Sequence, residues 1–383
     1  MGRIAIVGIG HGRFGRRDDV NIQELAFEPV AEALNDAGVE RKDIGATLIG
    51  SSPEYMKQRS LSGPVTEYLG LNPQPVWLTE AACGSSAAAF RTAVALIKAD
   101  MHACVLVLGL QKMLELSTPE LLSIMGRSGD VQWESNFGTT FASYYAMYAK
   151  RHMHVHGTTP EQLAAVAIKN HNNALKNPLA MFQKPVTMER IMSSRMIASP
   201  LRLFDCCANA DGAAAAILAS EEVAKRLTDT PIWLEGTAAA TAPFSVLTRP
   251  DLTSLPSAVK ASKDTFKQAN VTSKDVDVAE VHDCFTIAEI MAYEDIGFCE
   301  KGRGGKFVEE GESDIGGTIP VNPDGGLKAK GHPVGATGTS QIVEVVKQLR
   351  GEAGNRQVDG SEVGLTHNVG GHGQYCFVNI FRR

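Results

Sequence analysis

Disulfide spacing, basic excess and long apolar runs are all missing from this sequence, and each absence removes a class of protein. The seven cysteines are odd in number and follow no framework spacing, which argues against a stapled secreted scaffold and fits a reducing compartment. Lys and Arg number 37 against 43 Asp and Glu, a net charge of −6, so no basic surface for nucleic acid is expected. The opening Met1–Gly10 is a short strand-like stretch, too brief for a signal or a membrane anchor. The final Asn379-Ile380-Phe381-Arg382-Arg383 carries none of the C-terminal address or lipidation signals. A cytoplasmic location is the expectation. What is present, 383 residues with 44% hydrophobic and 21% charged, suffices for one large or two ordinary globular domains.

Taken in order, the chain alternates strands and helices. Arg3 to Gly10 reads as a buried strand, and Gly10, Gly12 and Gly15 then match G-x-G-x-x-G. That fingerprint needs a helix opening inside the glycine run and an acidic residue closing the second strand. Here a charged loop, Arg16-Arg17-Asp18-Asp19, follows the glycines, and Ala46–Gly50 ends without an acid, so no dinucleotide site is expected. Asn21 to Ala37 has the spacing of an amphipathic helix (Leu25, Ala26, Val30, Leu34) stopped at Gly38. Ala103 to Gly109 is another apolar strand, and the alternation predicts an α/β fold with helices on both sheet faces.

Residues 114–205 break the rhythm and read as an elaborated loop region that shapes a substrate pocket. His152, His154 and His156 fit the end of a helix closing at Gly157 better than a metal site, since no carboxylate or C-x-x-C partner accompanies them. The adjacent Cys206 and Cys207 read as packed thiols. From about residue 231 the pattern begins again. An offset of 232 lays Ala37-Gly38-Val39 and Lys42-Asp43-Ile44 onto Ala269-Asn270-Val271 and Lys274-Asp275-Val276. An offset of 249 lays Cys83, Ala87, Val94 and Lys98 onto His332, Ala336, Val343 and Lys347. The consistent order suggests two related halves, 1–230 and 231–383, with Cys83 and His332 at equivalent helix starts that a pseudo-twofold could bring into one site.

Three stretches carry chemistry. Cys83 sits among small residues directly before a run with helical spacing, where unpaired N–H groups and the helix dipole favour a thiolate. His282 and Cys284, two apart at the end of an apolar run, point the same way in extended backbone. Pro333 and the glycines of Lys330–Ser340 force a compact turn ahead of a helix, with His332 at its mouth.

With these three stretches, Thr79–Phe90, His282-Asp283-Cys284-Phe285 and Gly331-His332-Pro333-Val334-Gly335-Ala336-Thr337-Gly338, the chain resembles thiolases. It is most similar to the branch of sterol-carrier-type and archaeal acetoacetyl-CoA thiolases, and the motifs span nearly the whole chain. The resemblance implies a five-layered αβαβα fold of two repeated halves with a loop domain, about 114–205, inserted in the first. No sterol-carrier domain is expected, because the chain ends within the last thiolase-like strand. The resemblance also implies roles. Cys83 would be the nucleophile that takes an acyl group from CoA, and His332 would draw its proton. Cys284 would be the acid/base at the acetyl α-carbon. His282 and His332 would bind the thioester oxygen, and the backbone N–H groups of Cys83 and Gly370 would form a second oxyanion hole.

Many thiolases carry an acid/base cysteine in a C-terminal Cys-x-Gly motif. This chain reads Asn368-Val369-Gly370-Gly371-His372-Gly373 there, so Cys284 is the substitute; His372 is expected to be structural and Cys376 core. The implied activity is making or thiolytically cleaving a 3-ketoacyl-CoA, acetoacetyl-CoA above all, with CoA as substrate, no permanently bound cofactor and no metal. A decarboxylating condensing enzyme, an acyltransferase to a non-CoA acceptor, or a non-catalytic lipid-binding protein are the alternatives. Cys284 argues against decarboxylation, which makes a carbanion without a base. The expected partners are further copies in a homodimer or homotetramer and, in this branch, a small OB-fold zinc-ribbon protein and a partner synthase.

Overall fold

The computed structural model describes residues 2–383. Strand β1 (Ile4–His11) leads through a loop into helix α1 (Ile22–Ala37). There the Asn21 side chain accepts from the Glu24 N–H at 2.9 Å and Glu24 accepts from the Asn21 N–H at 2.8 Å, a reciprocal cap. Strands β2 (Ala46–Gly50) and β3 (Val76–Thr79) follow, then α2 (Ser85–Lys98), β4 (Cys104–Gln111) and, beyond the loop region, β5 (Gly212–Ser220). The loop region contributes α3 (Phe141–His156) and α4 (Pro160–Ala174). The second series is β6 (Ile232–Thr241), α5 (Pro256–Ala269), β7 (Val278–Val281), α6 (Thr286–Ile296), α7 (Thr337–Arg350), β8 (Val363–Gly370) and β9 (Tyr375–Arg382).

The nine strands form one sheet in the order β3-β2-β4-β5-β1-β6-β9-β8-β7. Read from either end it repeats. β2 and β4 are parallel, β4 with β5 and β5 with β1 antiparallel; β7 and β8 are parallel, β8 with β9 and β9 with β6 antiparallel. β3 pairs parallel with β2, and Val321 bridges parallel to Ala279 of β7 in the matching place. The halves meet where β1 and β6 pair antiparallel, Ala5 opposite Trp233. The caps repeat as well: α1 ends at Gly38 (φ 64°) and α5 at Asn270 (φ 52°), both left-handed, and a short 3₁₀ turn follows each.

This topology makes five layers. α1 covers β1 and β5 from outside, and α5 covers β6 and β9. α2 and α7 pack on each other between the two halves of the sheet. Their buried faces (Phe90, Ala93 and Ile97; Ile342, Val346 and Leu349) share one apolar core with strands of both halves, and Phe90 meets Phe381 edge-on at 5.9 Å. The αβαβα architecture expected from the resemblance is therefore the observed one. The first glycine of the G-x-G-x-x-G stretch serves packing: a Cβ on Gly10 would stand 2.0 Å from the Pro29 carbonyl of α1. No helix among the described residues is long and apolar enough to cross a membrane.

Candidate active site

Because α2 and α7 are equivalent elements of the two halves, their N-termini open side by side. Their approach depends on Gly338: a Cβ there would lie 2.6 Å from the Ala87 nitrogen. Gln111 at the end of β4 locks the region together. Its amide oxygen accepts from Ser52 N and Gly335 N at 3.1 Å each, and its nitrogen donates to Ser52 O at 3.0 Å.

Cys83 rides on a tight turn just before α2. Ala82 has φ +51°, left-handed for a non-glycine residue, and the turn is held by Ser85, whose hydroxyl accepts from Ala81 N and donates to Ala82 O. The sulfur is buried, and burial pushes its thiol up to about 12. The backbone N–H groups of Gly371 and of Cys83 itself pull in the opposite direction without matching burial. The favouring of a thiolate by the helix N-terminus, expected from sequence, is thus outweighed, and the resting Cys83 is a neutral thiol. Gly371, one residue beyond the expected Gly370, is the glycine whose N–H faces the sulfur.

His332 stands beside it. Its backbone N–H donates to Ala208 O at 2.8 Å, its Nδ1 meets the Thr337 hydroxyl at 2.7 Å, and its Nε2 has no protein partner. Burial holds its pKa at about 3, so the imidazole is neutral. His282 faces it, ring centroids 5.2 Å apart and planes near perpendicular. Cys83 Sγ and the ring nitrogens of the two histidines lie within 4.8 Å of one another. A soft cation could be held by such a trio, although no carboxylate joins it.

Cys284 completes the group. Its carbonyl accepts from Cys207 N at 2.9 Å, the Tyr145 hydroxyl faces its sulfur, and burial raises its thiol well above the ordinary value. Asp283, between His282 and Cys284, turns away. Its carboxylate accepts from Leu327 N at 2.7 Å, Lys328 N at 3.0 Å and Asn170 Nδ2 at 2.7 Å. It thereby ties the His282–Cys284 segment to the π-helical turn Gly326–Lys330 that precedes His332.

Cys83, Cys284 and His332 open onto one cavity of about 390 Å³, walled mainly by apolar side chains such as Met125, Phe141 and Phe285. Sequence reasoning missed four contributors: the Tyr145 hydroxyl beside the Cys284 sulfur, the Gly371 N–H, and Cys206 and Cys207, which line the cavity rather than only packing. Phe141 and Tyr145 come from the loop region, as a pocket-shaping insertion should supply. His372 is structural: its ring stacks on Tyr144 at 4.2 Å and its carbonyl accepts from Tyr148 and Arg249 at 2.8 Å each. Cys376 is fully buried in β9. His152 bonds Thr158 and Glu294 at 2.7 and 3.0 Å, a structural tie at the end of α3.

Comparison with known proteins gives the family. Residues 4–222 match the family model "Thiolase, N-terminal domain" and residues 238–383 match "Thiolase C-terminal domain-like". The chain is 45% identical over 385 residues to an acetyl-CoA acetyltransferase of Methanothermobacter thermautotrophicus, covering 100% of both. It is 33% identical to sterol carrier protein 2 of Bos taurus, over 96% of this chain and 70% of that protein. Among solved structures, an Ltp2-ChsH2(DUF35) aldolase superposes with a TM-score of 0.87 at 25% identity, covering 99% of this chain and 97% of the other.

Proposed function

The chain belongs to the thiolase family, and from that premise we propose that it makes or thiolytically cleaves a 3-ketoacyl-CoA, acetoacetyl-CoA in the first instance, through an acyl group carried on Cys83. The observation that carries this reading is the convergence of two thiols and the neutral His332 imidazole on one apolar cavity, with His282 close beside Cys83 and His332. In the cleavage direction His332 Nε2 takes the Cys83 proton, and the thiolate adds to the C3 keto carbon. The C2–C3 bond breaks and leaves the enolate of acetyl-CoA. Cys284 gives its proton to that carbon and becomes the thiolate. The raised state of the Cys284 thiol supports its starting as the proton donor. Incoming CoA then passes its proton to Cys284 and attacks the acyl-Cys83 carbonyl, and the departing Cys83 sulfur recovers its proton from His332. Condensation is the reverse.

The oxygen of the enolate builds charge beside the Nε2 atoms of His282 and His332. The N–H groups of Cys83 and Gly371 suit the oxygen on the acylated sulfur. CoA enters and leaves as substrate. The relatives named acetyl-CoA acetyltransferase support the acyl-transfer class, and Cys284 favours a proton-transfer route over decarboxylation. A homo-oligomer belongs to the same proposal: β3 is an edge strand with Trp77 and Leu78 exposed, a surface suited to a second copy. The solved Ltp2-ChsH2(DUF35) aldolase supports a further assembly, for which a small OB-fold, zinc-ribbon protein is the proposed partner.

The deciding test is acetyl transfer by wild type and Cys284→Ala. Wild type should cleave acetoacetyl-CoA in the presence of free CoA. The variant should still gain an acetyl group on Cys83 from acetyl-CoA, seen by intact mass, yet fail to condense or cleave. Absence of both turnover and acylation in wild type would end the short-chain thiolase reading.

A further inference from the structure

His282 and His332 face each other at 5.2 Å between ring centroids, both with an Nε2 that has no partner in the protein. Neutral imidazole carries one proton, and its position decides whether Nε2 accepts or donates. The partner of each Nδ1 therefore decides what each histidine can do. At His332 that partner is the Thr337 hydroxyl, which donates to the Pro333 carbonyl at 3.1 Å and so accepts from Nδ1–H at 2.7 Å. His332 Nε2 is left with a lone pair, as a base for Cys83 needs.

At His282 the partner differs in kind. Asn368, on β8, places its side-chain nitrogen 3.1 Å from His282 Nδ1. An amide nitrogen can only donate, so Nδ1 accepts and the ring proton stays on Nε2. The surroundings fix this amide orientation. The Asn368 oxygen lies against Gly338, where no N–H or O–H approaches it. Turning the amide over would put both hydrogens of the nitrogen into that dry contact. Two orphaned donors are worse than one idle carbonyl oxygen.

We propose that Asn368 is a positioning residue that holds His282 as its Nε2–H tautomer, so that the two facing histidines divide the work: His332 accepts the nucleophile's proton while His282 offers a hydrogen bond to the substrate oxygen. Asn368 acts through the ring of His282. The proposal rests on the acyl-transfer reading for its kinetic consequence, but the tautomer itself can be read without substrate.

The test pairs Asn368→Asp with Asn368→Ala. An aspartate of the same shape accepts from Nδ1–H, which turns the neutral ring over to an Nε2 lone pair and raises the pKa of His282. The titratable groups around that ring are His332, His367 and Cys83; burial holds His332 at about 3 and His367 at about 4, so neither charges between pH 5 and 8. At pH 8 the Asp variant should cleave acetoacetyl-CoA slower by about 10²–10³, the usual loss of one oxyanion donor. Activity should return as the pH is lowered, because the imidazolium of His282 again has a proton on Nε2. The Ala variant should lose activity without that acid recovery. Acetylation of Cys83 should persist in both.

Nitrogen-resolved NMR of labelled histidine, with the His282 signal identified by its loss in His282→Gln, should show Nε2–H in wild type and Nδ1–H in the Asp variant. An Nδ1–H tautomer in wild type would overturn the proposal, as would an Asp variant whose pH profile matches that of Ala. If wild type neither turns over nor acylates, the acyl-transfer reading fails alone, and the NMR result still decides the role of Asn368.

Discussion

At Cys83 two effects oppose each other. The start of α2 and the Gly371 N–H favour a thiolate, whereas burial favours the neutral thiol and prevails, pushing it up to about 12. Alkylation of Cys83 by a small reagent such as iodoacetamide should therefore rise about tenfold per pH unit from pH 7 to 10 without a plateau, because the thiolate fraction does. A plateau below pH 9, read from intact mass against time, would mean a preformed ion pair with His332 and would sink this account. Cys83, His282, Cys284 and His332 were legible in the sequence because reactive side chains stood in turns and strand ends whose backbone they could not choose. Tyr145, Cys207 and Gly371 were not: Cys207 and Gly371 are brought to the cavity, and Tyr145 to the Cys284 sulfur, by packing between segments far apart in the chain. The strength of desolvation at Cys83 was hidden for the same reason, since burial belongs to the folded site and the helix start to the local sequence.

The helices and their ends carry the next level. The repeat could be seen beforehand because each half stops a helix with the residue a left-handed cap needs, Gly38 and Asn270, and follows it with the same Lys-Asp pair. The pairing of β1 with β6, which joins the halves into a single sheet, left no such mark, since edge registry depends on the partner strand. Residues 114–205 were legible only as an interruption; their caps at Thr140 and Thr159 are plain once the helices are known, but their apolar spacing is weak. Gly338 joins this scale to the site, because it lets α7 sit against the first turn of α2. Gly338→Ala should force those turns apart, lowering stability by about 1–3 kcal/mol in urea unfolding, as overpacking does elsewhere. Its turnover should fall further than that loss alone explains, since Cys83 and His332 ride on the two elements being separated. A variant with wild-type rates would show that the catalytic spacing does not depend on this contact.

For the whole molecule, the same burial that keeps the histidines neutral sets a limit toward acid. His11, His171, His282, His332, His367 and His372 all have folded pKa values held below the ordinary 6.5, burial being the first cause at each. His171, His367 and His372 stand at about 4 and His332 at about 3. Between those values and 6.5 the unfolded chain binds protons that the folded one refuses. The stability such a group contributes is therefore complete above 6.5 and drains away as the pH falls toward the folded value. Each group adds a slope approaching about 1.4 kcal/mol per pH unit in that window, and several act together. The thermal midpoint should accordingly hold from pH 8 to 7 and drop steeply between 6 and 4. Because His332 and His372 sit in different places, one in the cavity and one under the Tyr144 ring, replacing only one should lessen the slope without abolishing it. His372→Gln is the informative choice, as it leaves the four reactive side chains untouched: a shallower acid limb with unchanged thiolysis at pH 8 is expected. A limb as steep as that of wild type would assign the acid sensitivity to other groups, among them Glu134 and Glu294, whose carboxyls are held below their ordinary value by hydrogen bonds.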